Sequence, residues 1–127
     1  MFEKLEITAM AQAMSAHAGS RLGVIARNVA NADTPGYRTQ DVDDFVTAWR
    51  DAGTDMRATR AGHVGAAGTG SGAEAHVVRG HGAPNRNTVS LESEMVKAVE
   101  TRQQHDMALA IYRGTSEVIR ASLGRGR

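Results

Sequence analysis

The chain has 127 residues, a formal net charge of +1 and no cysteine. That length suits one domain. The near-neutral balance excludes a broad basic field for nucleic acid, and the missing cysteine excludes disulfides, thiol nucleophiles and cysteine-ligated metals. Apolar residues make up 41% but aromatics only 4%, beside 14 glycines, so large core-forming side chains are scarce and partners are expected to supply burial.

The opening Met1-Phe2-Glu3-Lys4-Leu5-Glu6 has no positive segment followed by an apolar one, so no cleaved secretory signal is expected. No apolar run is long enough to span a bilayer. By default such a chain is cytosolic.

Residues Leu5 to Asn31 predict one helix. Ile7, Ala11, Met14, Ala18, Leu22, Ile25 and Val29 step by fours and threes, an eleven-residue pattern that keeps one apolar seam on a nearly straight helix. Gly19 and Gly23 weaken its middle and offer room for another helix to approach. The helix must stop at Asn28-Val29-Ala30-Asn31-Ala32-Asp33-Thr34-Pro35-Gly36-Tyr37. Pro35 excludes Thr34 from helical geometry, and Gly36 behind it suits a type II turn, whose third residue needs positive φ. Asn31 and Asp33 suit turn or left-handed geometry.

Asp41 to Arg50 predicts a short helix capped by Asp41, with Val42, Phe45, Val46 and Trp49 on one face. Trp49, the only tryptophan, reads equally as a packing anchor or a subunit contact. Residues 51–86 are glycine-bearing and poor in large apolar side chains. Gly65 to Ala73 reads as a loop, flanked by short strands at Met56–Thr59 and Ala75–Arg79. A last helix, capped by Thr88 or Ser90, is predicted to run to about Leu123. Its seam is Leu91, Met95, Ala98, Arg102, His105, Leu109, Tyr112, Ser116, Ile119 and Leu123, a 3.5-residue repeat. Val96, Val99, Met107, Ile111 and Val118 form a second stripe, more than one partner helix can cover. Gly114 is its weak point, and Gly124 to Arg127 a basic tail.

The predicted fold class is therefore mainly α: long N- and C-terminal helices packed as a coiled-coil-like pair around a Gly-rich middle that is partly disordered or forms short strands. The units are 1–40 (helix and turn), 41–50 (short amphipathic helix), 51–86 (flexible middle) and 87–127 (C-terminal helix). The seam residues Ile7, Met14, Leu22, Ile25 and Val29 are expected against Leu91, Met95, Leu109, Ile119 and Leu123 of the same chain.

Catalytic patterns are not found. His17, His63, His76, His81 and His105 form no His-x-x-x-His or His-Glu-x-x-His pair, so no metal site is expected. His105 reads as a packing residue and His76 and His81 as solvated. Gly68-Thr69-Gly70-Ser71-Gly72-Ala73 matches a loose dinucleotide pattern without the strand and helix that would give it meaning. No nucleophile-elbow string is present, and no cofactor is expected.

Two stretches carry a resemblance. Arg21 to Arg38, containing Asn28-Val29-Ala30-Asn31-Ala32-Asp33-Thr34-Pro35-Gly36-Tyr37, resembles the N-terminal signature of the flagellar axial proteins, the rod, hook and hook-associated subunits. Asn87-Thr88-Val89-Ser90-Leu91-Glu92-Ser93-Glu94-Met95 resembles the Asn-x-Val-x-Leu-Glu-x-Glu-Met opening of the C-terminal helix in proximal rod subunits. Glu100-Thr101-Arg102-Gln103-Gln104-His105 departs from the Ala-Ser-Arg-x-Tyr-x-x-Asn-like string of a sibling rod subunit.

The resemblance implies a structural rod subunit of the flagellar basal body, in the periplasmic space, exported through the type III apparatus without a cleaved signal. It also implies assembly into a higher-order helical oligomer, with itself, other rod proteins, the MS-ring/rod adaptor and the export gate as partners. The motif residues it marks for subunit packing are Arg21, Leu22, Ile25, Asn28, Val29, Asn31, Asp33, Thr34, Pro35, Gly36, Tyr37, Asn87, Val89, Leu91, Glu92, Glu94, Met95, Leu109, Ile119 and Leu123. A cytosolic helical adaptor or export-chaperone-like binding module of similar size is the competing expectation.

Overall fold

The computed structural model describes residues 2–52, 74–80 and 82–124. The expected loop at Gly65–Ala73, the expected strand at Met56–Thr59, and His63, His81, Arg125 and Arg127 lie outside the described residues. Two long helices, α1 (Phe2–Ala30) and α3 (Leu91–Gly124), pack against each other. Their lengths correspond to about 43 and 51 Å. Asn28 near the end of α1 meets Glu94 in the first turn of α3, so the pair is antiparallel. A short helix α2 (Phe45–Ala52) and a two-stranded antiparallel sheet, β1 (Gln40–Val42) with β2 (Ala75–Val77), complete the fold.

α1 ends where the turn residues require it. The Asn31 N–H is shared between the Arg27 and Asn28 carbonyls at 3.1 Å each, which tightens the last turn. The Tyr37 N–H then donates to the Thr34 carbonyl at 3.2 Å, closing a turn with Pro35 and Gly36 at its centre. Gly36 has φ +76°, the geometry of a type II turn and one costly for any side chain. Asn31 and Asp33 do not use left-handed geometry. Among the described residues the sole non-glycine at positive φ is Arg86, at 63°.

The Asp41-capped helix is not formed. Residues 40–42 pair with 75–77 in the register Gln40 to Val77, Asp41 to His76 and Val42 to Ala75. α2 starts later, with the Ala48 N–H on the Asp44 carbonyl at 3.0 Å. Asp41 is instead engaged by cations on both long helices, an alternative stronger than a helix cap. The strand expected at Ala75–Arg79 exists as β2, and its partner is β1. At the start of α3, Ser90 is the cap: its oxygen lies 3.5 Å from the Ser93 N–H, and the Glu94 N–H reaches the Ser90 carbonyl at 3.0 Å. Thr88 is used elsewhere.

The buried faces differ from the expected seams. On α1, Ala11, His17, Ala18, Val24, Ile25 and Asn28 are buried, while Ile7 and Val29 are exposed and Met14 and Leu22 half-buried. On α3 the buried residues are Glu94, Thr101 and Ala108, seven apart. The 3.5-residue repeat is present, but centred one position from the apolar seam. Ala98, His105, Leu109, Ser116 and Ile119 are half-buried at its margin, whereas Leu91, Met95, Arg102, Tyr112 and Leu123 are exposed. The expected pairing of α1 with Leu91, Met95 and Leu123 is thus incorrect within one chain. Near the turn the α1-facing side of α3 carries Glu94 and Lys97, which bond Asn28 and Asp41. Among the described residues nothing lies within 4 Å of where a methyl group on Gly19, Gly23 or Gly114 would sit, so no described helix approaches closely there.

Candidate functional site: the junction of the two terminal motifs

The two resembling stretches, distant in sequence, meet at the end of the helical pair. A helix end leaves backbone carbonyls without intrahelical partners. The last carbonyls of α1, at Arg27, Asn28 and Val29, take the Asn31 and Ala32 N–H groups, and the carbonyls of the turn beyond the helix are served by the Asn87 side chain. Its Nδ2 donates to the carbonyls of Asn31 (2.9 Å), Ala32 (2.7 Å) and Thr34 (2.9 Å), and its Oδ1 accepts from the Val89 N–H at 2.8 Å. Backbone bonds run beside it: Gly36 N–H to the Asn85 carbonyl at 3.0 Å and Thr88 N–H to the Tyr37 carbonyl at 3.1 Å. Thr39 N–H donates to Thr88 Oγ1 at 2.8 Å. The approach to α3 is laced onto the segment that follows the turn.

Asn28 lies one turn inward and is 0% exposed. A side-chain amide can make four hydrogen bonds, and Asn28 makes all four. Nδ2 donates to the Gln40 carbonyl at 2.7 Å and to Glu94 Oε2 at 2.9 Å; Oδ1 accepts from the Gln40 N–H at 3.1 Å and the Tyr37 hydroxyl at 3.2 Å. The motif residue Tyr37 thus acts as a hydrogen-bond donor into the helix it follows.

Glu94, also 0% exposed, passes the contact on to charge. Its Oε1 accepts from Lys97 Nζ at 3.1 Å, and Lys97 Nζ reaches Asp41 Oδ2 at 3.0 Å. Arg21 holds Asp41 from α1 through Nε at 3.1 Å and Nη2 at 3.4 Å. The result is an alternating row, Arg21, Asp41, Lys97, Glu94, Asn28, that ties α1, β1 and α3 together. Burial pushes the Asp41 carboxyl up, but bonds from Arg21, the Val42 N–H and Lys97 outweigh it and hold it below the ordinary carboxylate value. Burial likewise disfavours the Lys97 ammonium, but Asp41 and Glu94 hold its pKa above the ordinary value. Among the described residues no buried side-chain nitrogen or oxygen lacks a hydrogen-bond partner.

A second cluster fixes α2. His17, buried in α1, contacts the Asp43 carbonyl through Nε2 at 2.8 Å, and its ring meets Phe45 edge-on at 5.7 Å. Trp49 stacks on Phe45 at 5.8 Å and stays 39% exposed. It is neither a fully buried anchor nor free of intrachain packing. His76 is exposed, 3.7 Å from an Asp43 carboxyl oxygen. Among the described residues no group of three or more His, Asp or Glu is placed to hold a metal.

The structure brings Arg21, Asn28, Asn31, Thr34, Gly36, Tyr37, Asn87, Val89 and Glu94 into this junction, and Ile25 is buried on α1. Asn31 bonds the Arg27 carbonyl and accepts from the Thr34 hydroxyl. Leu22, Leu109 and Ile119 are half-buried farther along the pair, and Val29, Asp33, Pro35, Leu91, Glu92, Met95 and Leu123 are exposed. Sequence reasoning missed Asp41, Lys97, Gln40, Thr39 and Thr88. Lys97 three residues after Glu94 was the available signal, since that spacing places both on one helix face.

Residues 7–38, most of α1 and the whole turn, match the family described as flagella basal body rod protein. The match covers about a quarter of the chain and makes this N-terminal stretch similar to that of flagellar rod proteins. A search of curated proteins gives no match. No described helix is long and apolar enough to cross a membrane.

Proposed function

We propose that the chain is a proximal-rod subunit of the FlgB type, joining the MS ring and export gate to the distal rod and carrying torque. The coarser role, a structural component of the flagellar basal body, rests on the family match. The observation that carries the finer reading is the docking of the Asn87-to-Met95 stretch onto the matched turn, through Asn87 and the Asn28–Glu94 bond. The stretch that resembles the axial proteins and the stretch that resembles proximal rod subunits form one junction.

The outward side of α3 supports assembly. Met95, Val96, Val99, Met107, Ile111, Val118 and Leu123 remain exposed while the intrachain seam is built from Glu94, Thr101 and Ala108. That apolar surface suits burial against other subunits in a helical oligomer. The partners of this reading are further copies, other rod proteins, the MS-ring/rod adaptor and the export gate, reached through type III export.

The test is mass spectrometry of purified hook–basal bodies, with an in-frame deletion strain as control. Stoichiometric presence and loss of the rod on deletion support the proposal. Basal bodies that assemble without the chain, together with its retention in the cytosol, reject it in favour of a helical adaptor.

A further inference from the structure

The rotation of α3 is unusual for what its surface offers. A helix pair driven by apolar burial turns its richest stripe inward. Here α3 presents Glu94, Thr101 and Ala108 to α1 and leaves Met95 at 65% and Val99 at 69% exposure. Away from the turn, where Val24 and Ile25 are buried within about a turn of Asn28, the small inner positions are poor at choosing a register. Ala11 and Ala18 on α1 and Ala108 on α3 are small and interchangeable, and the seven-residue spacing of Glu94, Thr101 and Ala108 allows a slide by one repeat.

The features that do discriminate are polar and sit at one end. Asn28 offers a single unused N–H after Gln40 is satisfied, and Glu94 takes it. Asp41 Oδ2, which Arg21 Nη2 reaches at 3.4 Å, also takes Lys97 Nζ at the shorter distance of 3.0 Å. A slide by seven residues would put Thr101 in place of Glu94, and a roll would put Met95 against Asn28. Either leaves the Asn28 N–H without its acceptor and separates Lys97 from Asp41. Buried polar pairs contribute less to stability than apolar ones of equal volume, and their attested use is to select register.

We propose that the row Arg21, Asp41, Lys97, Glu94, Asn28 is a register lock. It makes α3 pair with its own α1 in one rotation, and only after residues 37–41 are in place to orient Asn28. The lock keeps the apolar side of α3 outward. Three of the four bonds to Asn28 come from Tyr37 and Gln40, so closure of the pair is coupled to formation of the turn. This holds for the isolated chain whether or not it is a rod subunit.

The chain has no cysteine, which permits spin labels at introduced cysteines on two exposed positions, Ala26 and Arg102. Double electron–electron resonance is then measured on the full chain and on Glu94→Leu/Lys97→Leu, which replaces the α3 half of the lock by apolar volume. The labelled parent should give one narrow intrachain distance. The double variant leaves one buried Asn28 N–H without its acceptor, so its urea midpoint should fall, and it should lose the single distance, showing a second or broadened population. Mixtures of singly labelled variant chains should gain an interchain signal that the parent lacks.

A single unchanged distance in the double variant overturns the proposal, because packing alone then sets the rotation. A fall in midpoint with an unchanged distance overturns it too. If the double variant loses its helical signal, Glu94→Gln is read by the same criteria. It keeps an acceptor for Asn28 but drops the charge that holds Lys97.

Discussion

Asn87 is the most consequential side chain per atom in the junction, and its removal has a calculable effect. The residue is 3% exposed and its amide serves three carbonyls beyond α1 while its oxygen takes the Val89 N–H. Asn87→Ala deletes two donors and one acceptor at once. A typical hydrogen bond contributes about 0.5–1.5 kcal/mol net, and a buried group left without a partner costs about 1–3 kcal/mol. Two amide protons shared among three carbonyls count as two bonds, so the expected loss is about 2–4 kcal/mol. For a chain of this size that is a fall in Tm of about 10 °C. Asn87→Asp sharpens the test. It keeps the acceptor for Val89 but turns a carboxylate toward the negative end of the α1 dipole and three carbonyl oxygens. It should destabilise at least as much as alanine. Urea unfolding followed by circular dichroism reads both variants. An aspartate variant within about 0.5 kcal/mol of the parent would refute the capping role, since that is the spread of neutral surface changes.

Other substitutions test neighbouring links. Asn28→Asp sets a second buried carboxylate beside Glu94 and against the Gln40 carbonyl, and should cost about 3–5 kcal/mol in the same assay; a loss under about 1 kcal/mol contradicts the bond assignment. Gly36→Val forces a β-branched residue to φ +76°, so it and Pro35→Ala should impair motility more than changes within Gly65–Ala73, and equal losses in a soft-agar assay would reject that ranking. Because the folded pKa of Asp41 is lowered, its stabilisation is complete above the unfolded value of about 3.9 and fades as pH falls through the folded value. Asp41→Asn should therefore flatten the acid limb of the urea midpoint against pH, and an unaltered limb would show that another group carries it. Arg86→Gly relieves a non-glycine at φ 63° and should be neutral to stabilising by about 1 kcal/mol, whereas a clear loss of midpoint would mean the arginine side chain has a role of its own.

The two long helices were legible because their determinants are local. Proline-free runs of helix-compatible residues, a serine cap and a Pro-Gly stop specify where α1 and α3 begin and end. The turn at Thr34–Tyr37 followed from the same chemistry, as positive φ at Gly36 shows. What periodicity missed was which side of each helix faces its own chain. It counted apolar residues and so preferred Leu91, Met95 and Val29, all of which are exposed. Asp41 was read as a helix cap because its true partners, Arg21 and Lys97, lie 20 and 56 residues away in sequence.

The residues themselves determined the helices, the sharp stop at Pro35-Gly36 and the surplus of apolar surface, since each depends on neighbours within a turn or two. Only the tertiary structure decided that Asn28, Asp41, Asn87, Glu94 and Lys97 form one junction, and hence which apolar stripe points outward. Hydrogen bonds are directional and their partners here are brought together by folding, whereas hydrophobic burial is non-directional and reads the same whether the covering surface belongs to the same chain or another.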